Sequence, residues 1–372
     1  MKPQETGKEN EAFLTRQLIT YIGNKRSLLG FIGTALDRVK KRLGREKLRL
    51  FDVFSGSGAA ARYFKQYAEL LVVNDIEAYA ETINRCYLAN KSEINVPELH
   101  AIFDDVTGRL RQGPLREGFI AELYAPRDGN QIKDHERVFY TPRNARYLDT
   151  ARQYIENIDE KLRHFFIAPL LSEASIHANT AGIFKGFYKD RKTGRGCFGG
   201  TGGDALTRIT RDIELPFPVW SNFDCEVKIF REDANVLAAG VTEVDAAYLD
   251  PPYNQHPYGS NYFMLNLITS YRRPRELSPV SGIPPDWIRS AYNKRESALR
   301  SFSDLAGKLR AKFLIISFNS EGFISPEEMR GVLERIGKLE ILETPYNTFR
   351  GSRNLRNRDL HVKEYLYLVE KN

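Results

Sequence analysis

Apolar residues along the chain fall first into short runs broken by glycines and acids. Leu48 to Phe54 (Leu-Arg-Leu-Phe-Asp-Val-Phe) is rich in strand formers and runs into Ser-Gly-Ser-Gly-Ala. Ala59 to Leu70 has helical character, Leu70 to Val73 is a second apolar run ending at Asn74-Asp75, and Glu77 to Asn90 is helical again. Strand, glycine turn, helix, strand, acid, helix is the opening of a doubly wound α/β fold. From about Lys91 to Leu215 this alternation stops. Within that stretch Thr141-Pro142 starts a helix, with threonine as N-cap and proline at the first helical position, which is expected to run to about His164. The alternation resumes with predicted strands at Cys225 to Phe230, Ala246 to Leu249, Lys312 to Phe318 and Glu364 to Val369, and a helix at Pro326 to Ile336. The simplest organisation is one α/β domain, residues 16–90 and 216–372, split by an inserted, mostly helical domain at 91–215. No internal repeat is visible.

Composition narrows the picture only slightly. The 372 residues suffice for a sizeable core, and 42% hydrophobic with 28% charged residues is ordinary for a soluble globular protein. No apolar run approaches the roughly 18 residues of a membrane span. Met1 to Thr15 is polar and mixed in charge, which predicts a frayed tail rather than a targeting segment, and a cytoplasmic protein. Cys86, Cys197 and Cys225 are far apart without Cys-x-x-Cys spacing, and the six histidines form no ligand pattern, so neither disulfides nor a bound metal are expected. The formal charge of +7 is compatible with a polyanionic partner, and matters only where the charge is concentrated near a site.

Candidate chemistry sits at the ends of the predicted strands. In Asp52-Val-Phe-Ser-Gly-Ser-Gly58 the glycines Gly56 and Gly58 let the backbone approach a cofactor at the carboxyl edge of the sheet, although a tight turn can also use them without function. Asp75, one βα unit further on, can hydrogen-bond the ribose hydroxyls of an adenosyl ligand, or merely cap the following helix. Asp250-Pro251-Pro252-Tyr253 is the strongest signal. Two adjacent prolines fix two φ angles and remove two donors, leaving a rigid corner that presents an acid and an aromatic to one pocket. An exocyclic amine on adenine is a poor nucleophile, because its lone pair is delocalised into the ring. A carboxylate and a backbone carbonyl accepting its two N–H bonds would localise that pair, and an aromatic ring would stack on a base that has left the duplex.

Asp52-x-Phe54-x-Gly56-x-Gly58 followed by Asp250-Pro-Pro-Tyr253 resembles the Dam-like (alpha-class) adenine-specific DNA methyltransferases. Thr20-Tyr-Ile-Gly-Asn-Lys-Arg-Ser-Leu-Leu29 is similar to that family's N-terminal motif, with Tyr21 where tryptophan is commoner, Asn24 in place of a second glycine, and Lys25 matching the lysine near the cofactor's methionine part. Asp233-Ala234, 17 residues before Asp250, stand where the family holds the cofactor adenine. Gln255 to Ile268 and Glu364 to Tyr367 fit later motifs more loosely. The resemblance implies a Rossmann-like class I methyltransferase sheet, S-adenosylmethionine as cofactor, duplex DNA as partner and a target-recognition insertion at 91–215, and it leaves open whether a cognate restriction endonuclease accompanies the protein. It implies direct transfer of the sulfonium methyl to N6 of a flipped adenine, with no metal.

Two basic regions are candidates for holding DNA. Tyr346 to Arg358 carries Arg350, Arg353, Arg356 and Arg358 and no acid, while Lys185 to Gly203 carries Lys185, Lys189, Arg191, Lys192 and Arg195 among seven glycines. The latter is too glycine-rich for a helix or central strand and is expected to be a mobile loop. Two alternatives stay open: an RNA adenine methyltransferase, and a DNA-binding regulator on a catalytically weak version of the same fold.

Overall fold

A computed structural model describes residues 7–200, 202–203, 205–319, 322–347 and 361–372. Among these, β1 (Leu48–Asp52), β2 (Ala68–Asn74), β3 (Glu226–Phe230), β4 (Val244–Leu249), β5 (Ala311–Asn319), β6 (Gly337–Asn347) and β7 (His361–Lys371) form one sheet in the order β3-β2-β1-β4-β5-β7-β6. The pairs β1–β2, β1–β4, β2–β3 and β4–β5 are parallel, and β7 runs antiparallel between β5 and β6. This is the expected Rossmann-like methyltransferase sheet. The chain leaves β1 towards β2 on one side and returns as β4 on the other. A topological switch point therefore lies between β1 and β4, and ligand clefts form at such points.

Period-two alternation divides the sheet's apolar residues between two faces. Phe51, Val72, Ala247, Leu314 and Ile316 pack with Phe302 and Leu305 of the helix Arg295–Lys308 and Met329 of the helix Pro326–Leu333. Leu50, Leu71, Ala246, Phe313 and Ile315 pack with Ile32 and Leu36 of the helix Leu29–Leu43 and Phe64 of the helix Ala59–Lys65. All six residues of β4 are buried, as in a parallel strand covered on both faces.

The described part of 91–215 is helical apart from turns and one isolated β-bridge. The helix opened by Thr141 does not run to His164. It spans Pro142–Ile155, and Asp159 then caps a second helix, Glu160–Ile176, by accepting from the Lys161 N–H at 2.9 Å. These helices share one apolar cluster with Tyr79, Ile83 and Tyr87 of the helix Ala78–Tyr87 and with Tyr262 to Ile268. The N-terminal segment corrects the expectation of a frayed tail over residues 7–15. Phe13 of the short helix Glu11–Thr15 is 1% exposed, Arg62 donates to its carbonyl, and the Glu9 carboxylate accepts from the Ser221 hydroxyl at 2.5 Å. The polar composition there hides one apolar anchor.

Candidate active site

The site begins where β1 ends. Val53 continues the strand by donating to the Tyr248 carbonyl of β4 at 3.0 Å, and Ser55 donates to the Asn74 carbonyl of β2 at 2.9 Å. Gly56 then turns with φ +51°, and an added Cβ would lie 2.8 Å from the Tyr21 ring. Its N–H donates to Asp75 Oδ2 at 2.7 Å, while Asp75 Oδ1 accepts from the Glu77 N–H at 2.9 Å. Asp75 thus clasps the glycine turn to the end of β2. Burial pushes its carboxyl up to about 6, against the pull of those two N–H groups. Gly58 turns too, with φ +74°, and a Cβ there would sit 2.8 Å from Asn84 Oδ1.

Asp250 follows β4 and forms the other side. Lys25 Nζ lies 3.2 Å from Asp250 Oδ1 and 3.0 Å from Glu364 Oε1 on β7, and the Ser317 hydroxyl of β5 donates to that same Glu364 oxygen at 2.8 Å. Burial raises the Asp250 carboxyl to about 6, opposed by Lys25 and reinforced by Glu364. Burial works against the Lys25 charge, but Asp250 and Glu364 more than offset it and hold the ammonium well above the ordinary lysine range. Two acids and one cation leave this cluster with a formal charge of −1. Beyond Pro251 and Pro252, the Tyr253 ring meets Phe318 edge-on at 6.2 Å, and its carbonyl accepts from the Phe323 N–H at 2.9 Å.

A third wall comes from the N-terminal segment. The Tyr21 ring stacks on Tyr258 and Tyr262, with centroids 5.0 and 4.9 Å away. The Tyr262 hydroxyl accepts from the Ile22 N–H at 2.8 Å, and Tyr258 donates to the Ile22 carbonyl at 3.2 Å. Two tyrosines therefore clamp the backbone just before Lys25.

These walls enclose a cleft of about 900 Å³, counted to its open mouth. Of the residues singled out in the sequence, Tyr21, Lys25, Phe54, Gly56, Asp75, Asp233, Ala234, Asp250 and Pro252 line it. Asp233 also caps the short helix Ala234–Leu237, accepting from the Asn235 N–H at 2.9 Å. Asp52, Gly58, Pro251 and Tyr253 are not among the lining residues. Asp52 is fully buried, and neither carboxylate oxygen receives a well-formed hydrogen bond, although the N–H groups of Phe54 and Ala61 oppose its rise well above the usual aspartate range. Burial is the main cause of that rise.

Sequence reasoning missed Glu77, Ile288, Ser290, Tyr292 and Asn293, which also line the cleft. Glu77 is buried, and its carboxyl is raised by burial to about 7, with the Asn266 amide, donating at 2.6 Å, pulling the other way. An acid two residues after Asp75 was a usable signal. The segment 288–293 carries no periodicity and offered none.

The basic loop is more ordered than expected. Lys189 and Gly196 form an antiparallel bridge, Asp190 N–H donates to the Arg195 carbonyl at 2.8 Å, and the Asp190 carboxylate accepts from Thr193 N–H at 2.8 Å. The glycines there serve a tight turn, not slack. Lys185, Lys189, Arg191, Lys192 and Arg195 are all exposed, with Arg195 paired to Asp134 at 2.6 Å. Arg350, Arg353, Arg356 and Arg358 lie outside the described residues. Among the described residues no group of three or more His, Cys, Asp or Glu could hold a metal, and no helix is long and apolar enough to cross a membrane.

A glycine-turn cleft at the switch point of this sheet, walled by an Asp-Pro-Pro-Tyr corner, defines a Rossmann-like methyltransferase. Residues 21–278 match the model of the D12 class N6 adenine-specific DNA methyltransferases, and the chain belongs to that family. It is 30% identical to Type II methyltransferase M.NlaIII of Neisseria lactamica over 95% of this chain and 99% of that one. Type II methyltransferase M.CviAII of Paramecium bursaria Chlorella virus 1 is 28% identical over 94% and 98%. Type II methyltransferase M.FokI of Planomicrobium okeanokoites is 26% identical over 94% of this chain and 52% of that longer protein. The protein is an enzyme that uses a methyl donor to methylate adenine in DNA.

Proposed function

We propose that the cleft binds S-adenosylmethionine and that the Asp250–Tyr253 corner receives an adenine extruded from duplex DNA at a specific site. The observation that carries this reading is the placement of Asp250 beside the Gly56 turn, across the β1–β4 pairing in which Asp52 faces Tyr248. Donor and acceptor halves then share one cleft.

The residues present suit the donor. Gly56 keeps the backbone bare where a Cβ would strike Tyr21. Each Asp75 oxygen accepts one backbone N–H and retains a lone pair for a ribose hydroxyl. Phe54, Ala234 and Ile288 supply apolar wall for an adenine ring, and Lys25, already paired with Asp250 and Glu364, stands at the end of the cleft that would face the methionine part. Asp52 and Gly58 support the turn from behind.

When bound, the donor supplies an electrophilic methyl on a sulfonium. The chain's own groups act on the acceptor. Asp250 and the Pro251 carbonyl accept the two N–H bonds of the target amine, which turns its lone pair out of conjugation and towards the methyl. Tyr253 stacks on the ring, and Phe318 and Phe323 fix Tyr253 in turn. The proton leaves only after attack, so a carboxylate held near 6 is basic enough to take it. Orientation supplies most of the acceleration.

Near full-length similarity to proteins named Type II methyltransferases supports a site-specific modification enzyme that accompanies a restriction endonuclease. The test is incubation of unmethylated duplex with S-adenosylmethionine, nucleoside digestion and mass spectrometry. N6-methyladenine confined to one sequence is expected. Methylated cytosine alone, or labelled RNA in preference to DNA, would sink the reading.

A further inference from the structure

A second groove lies against the outer side of the cleft wall. Lys185, Pro257, Ser260, Glu276 and Trp287 line it, with Glu276 its one acid. It is continuous with the active site through a seam of two backbones. The helix Tyr258–Asn261 shows Tyr258 and Gly259 to the methyl-donor cleft but Ser260 and the preceding Pro257 to the groove. The facing segment divides in the same way, with Ile288 and Ser290 towards the cleft and Trp287 towards the groove. The two backbones nearly touch: a Cβ on Gly259 would lie 2.8 Å from the Ile288 carbonyl oxygen. Asn293 donates to the Asn254 carbonyl at 2.8 Å, tying the same segment to the residue after Tyr253.

The groove has the chemistry of a base-stacking site. Trp287 is half-buried, and the Arg289 guanidinium lies 4.1 Å from its ring centroid. The other tryptophan, Trp220, is 6% exposed, and its indole N–H donates to the Cys86 carbonyl at 2.8 Å; its role is structural. An indole backed by a guanidinium at the rim of a catalytic cleft, with exposed Lys185 across from it, suits an anionic partner that also carries π-faces. The groove wall is stiff. Pro284 and Pro285 precede Trp287, and Tyr124 and Arg137 hold the adjoining turn through the carbonyls of Gly282 and Ser278.

Resting on the duplex-DNA reading above, we propose that Trp287, backed by Arg289, is a stacking platform for a base next to the extruded adenine on the same strand. Extruding one nucleotide leaves its neighbours about one phosphate step away, and it removes the stacking partner of the base alongside. Pro257, only four residues beyond Tyr253, places the groove at that step. Ile288 on the reverse side of the strap meets the cleft, so occupation of the groove would bear on the wall of the donor site.

Because the chain has two tryptophans, fluorescence can isolate the platform. In Trp220→Phe, with excitation at the red edge where tyrosine does not absorb, only Trp287 emits, and saturation with a duplex carrying the mapped site should quench most of its emission. Trp287→Phe serves as the control and should respond little. An abasic nucleotide beside the target adenine should restore the emission, while labelled-duplex anisotropy confirms that binding persists. Trp287→Ala should raise KM for DNA about tenfold, as expected for one lost stack, with donor affinity unchanged, and Trp287→Phe should recover most of that loss. Unquenched Trp287 emission while the duplex is bound and methylated would overturn the platform and leave the methyltransferase reading standing. Quenching that survives an abasic site placed at each of the two neighbours in turn would also overturn it. Should the parent neither bind nor methylate duplex, the underlying reading falls, and the platform with it.

Discussion

Replacing Lys25 with glutamine should move the acid limb of the pH–rate profile upward. In the parent, Asp250 works as a carboxylate, and its carboxyl is held at about 6. Single-turnover methylation should therefore fall about tenfold per pH step below 6 and be flat above it. Lys25 Nζ, 3.2 Å from Asp250 Oδ1, is the one cation in contact with that oxygen among the described residues. At an effective dielectric of 20 such a pair is worth about 5 kcal/mol, an upper bound near four pH units. The Asp250 side chain keeps 19% of its surface open, so entering water and the retained glutamine dipole reduce the effect. A shift of about 1–2 pH units is expected, to an acid limb near 7–8. Its sign follows from the charges: without the ammonium, Asp250 faces Glu364 uncompensated, and the protonated form gains. The assay is transfer of tritiated methyl from pH 5 to 9 at saturating DNA and donor, with calorimetry confirming saturation at each pH. An acid limb fixed near 6 in Lys25→Gln would refute the assignment of that limb to Asp250.

Three further outcomes are expected. Asp75→Ala should weaken donor binding by roughly 1–3 kcal/mol in calorimetry, as charged hydrogen bonds are lost and the Gly56 turn is unclasped, whereas Asp250→Ala should abolish turnover and leave donor affinity nearly intact; equal donor affinity in Asp75→Ala would remove the ribose role. Asp250→Asn should stabilise the fold at pH 8 by about 1–3 kcal/mol, because a carboxyl raised by burial costs stability in its charged form; that cost appears above the ordinary value near 3.9 and is fully present above about 6, so the gain in Tm should vanish at pH 4. A gain unchanged between pH 4 and pH 8 would contradict this. Neutralising Lys189, Arg191 and Lys192 should change the ranking of sites methylated in a random duplex library, while neutralising Arg350 and Arg353 should weaken all sites alike and flatten the salt dependence by about one log-log unit per lost phosphate contact; the reverse pattern would exchange the two roles.

The parts of the site legible in the sequence are those whose geometry is local. Asp52 to Gly58 and Asp250 to Tyr253 each hold a strand end, a turn and its chemistry within a few residues, so the pattern of apolar and turn-forming positions locates them without the fold. The partners that tune them are not local. Glu364 reaches Lys25 from β7 and Ser317 of β5 holds Glu364 in turn, yet position 317 declares no function in the sequence and Glu364 opens only a loosely matching motif. The segment 285–295 was illegible for a different reason. Apart from the single 3-10 turn Ala291–Asn293 it belongs to no helix or strand until Arg295, so periodicity has nothing to grip, yet with Trp287 lining the groove and Ile288 lining the cleft it is a wall common to two pockets. Glycine content misled in the other direction. Between Lys185 and Gly203 it suggested slack, but Gly194, Gly199 and Gly200 all hold φ near +70°, and Asp190 and Asn179 bind the turns they make. Asn179 is fully buried, donating to the Val138 and Cys197 carbonyls at 2.7 and 2.9 Å. The exposed cations therefore ride on a hairpin anchored in the same apolar cluster that holds Tyr79 and Tyr262. Tyr262 is also the residue that clamps Ile22 beside Lys25. One contiguous apolar cluster thus lies under both the proposed DNA-reading hairpin and the tyrosine wall of the donor cleft, so the two are built on a common core rather than on separate ones.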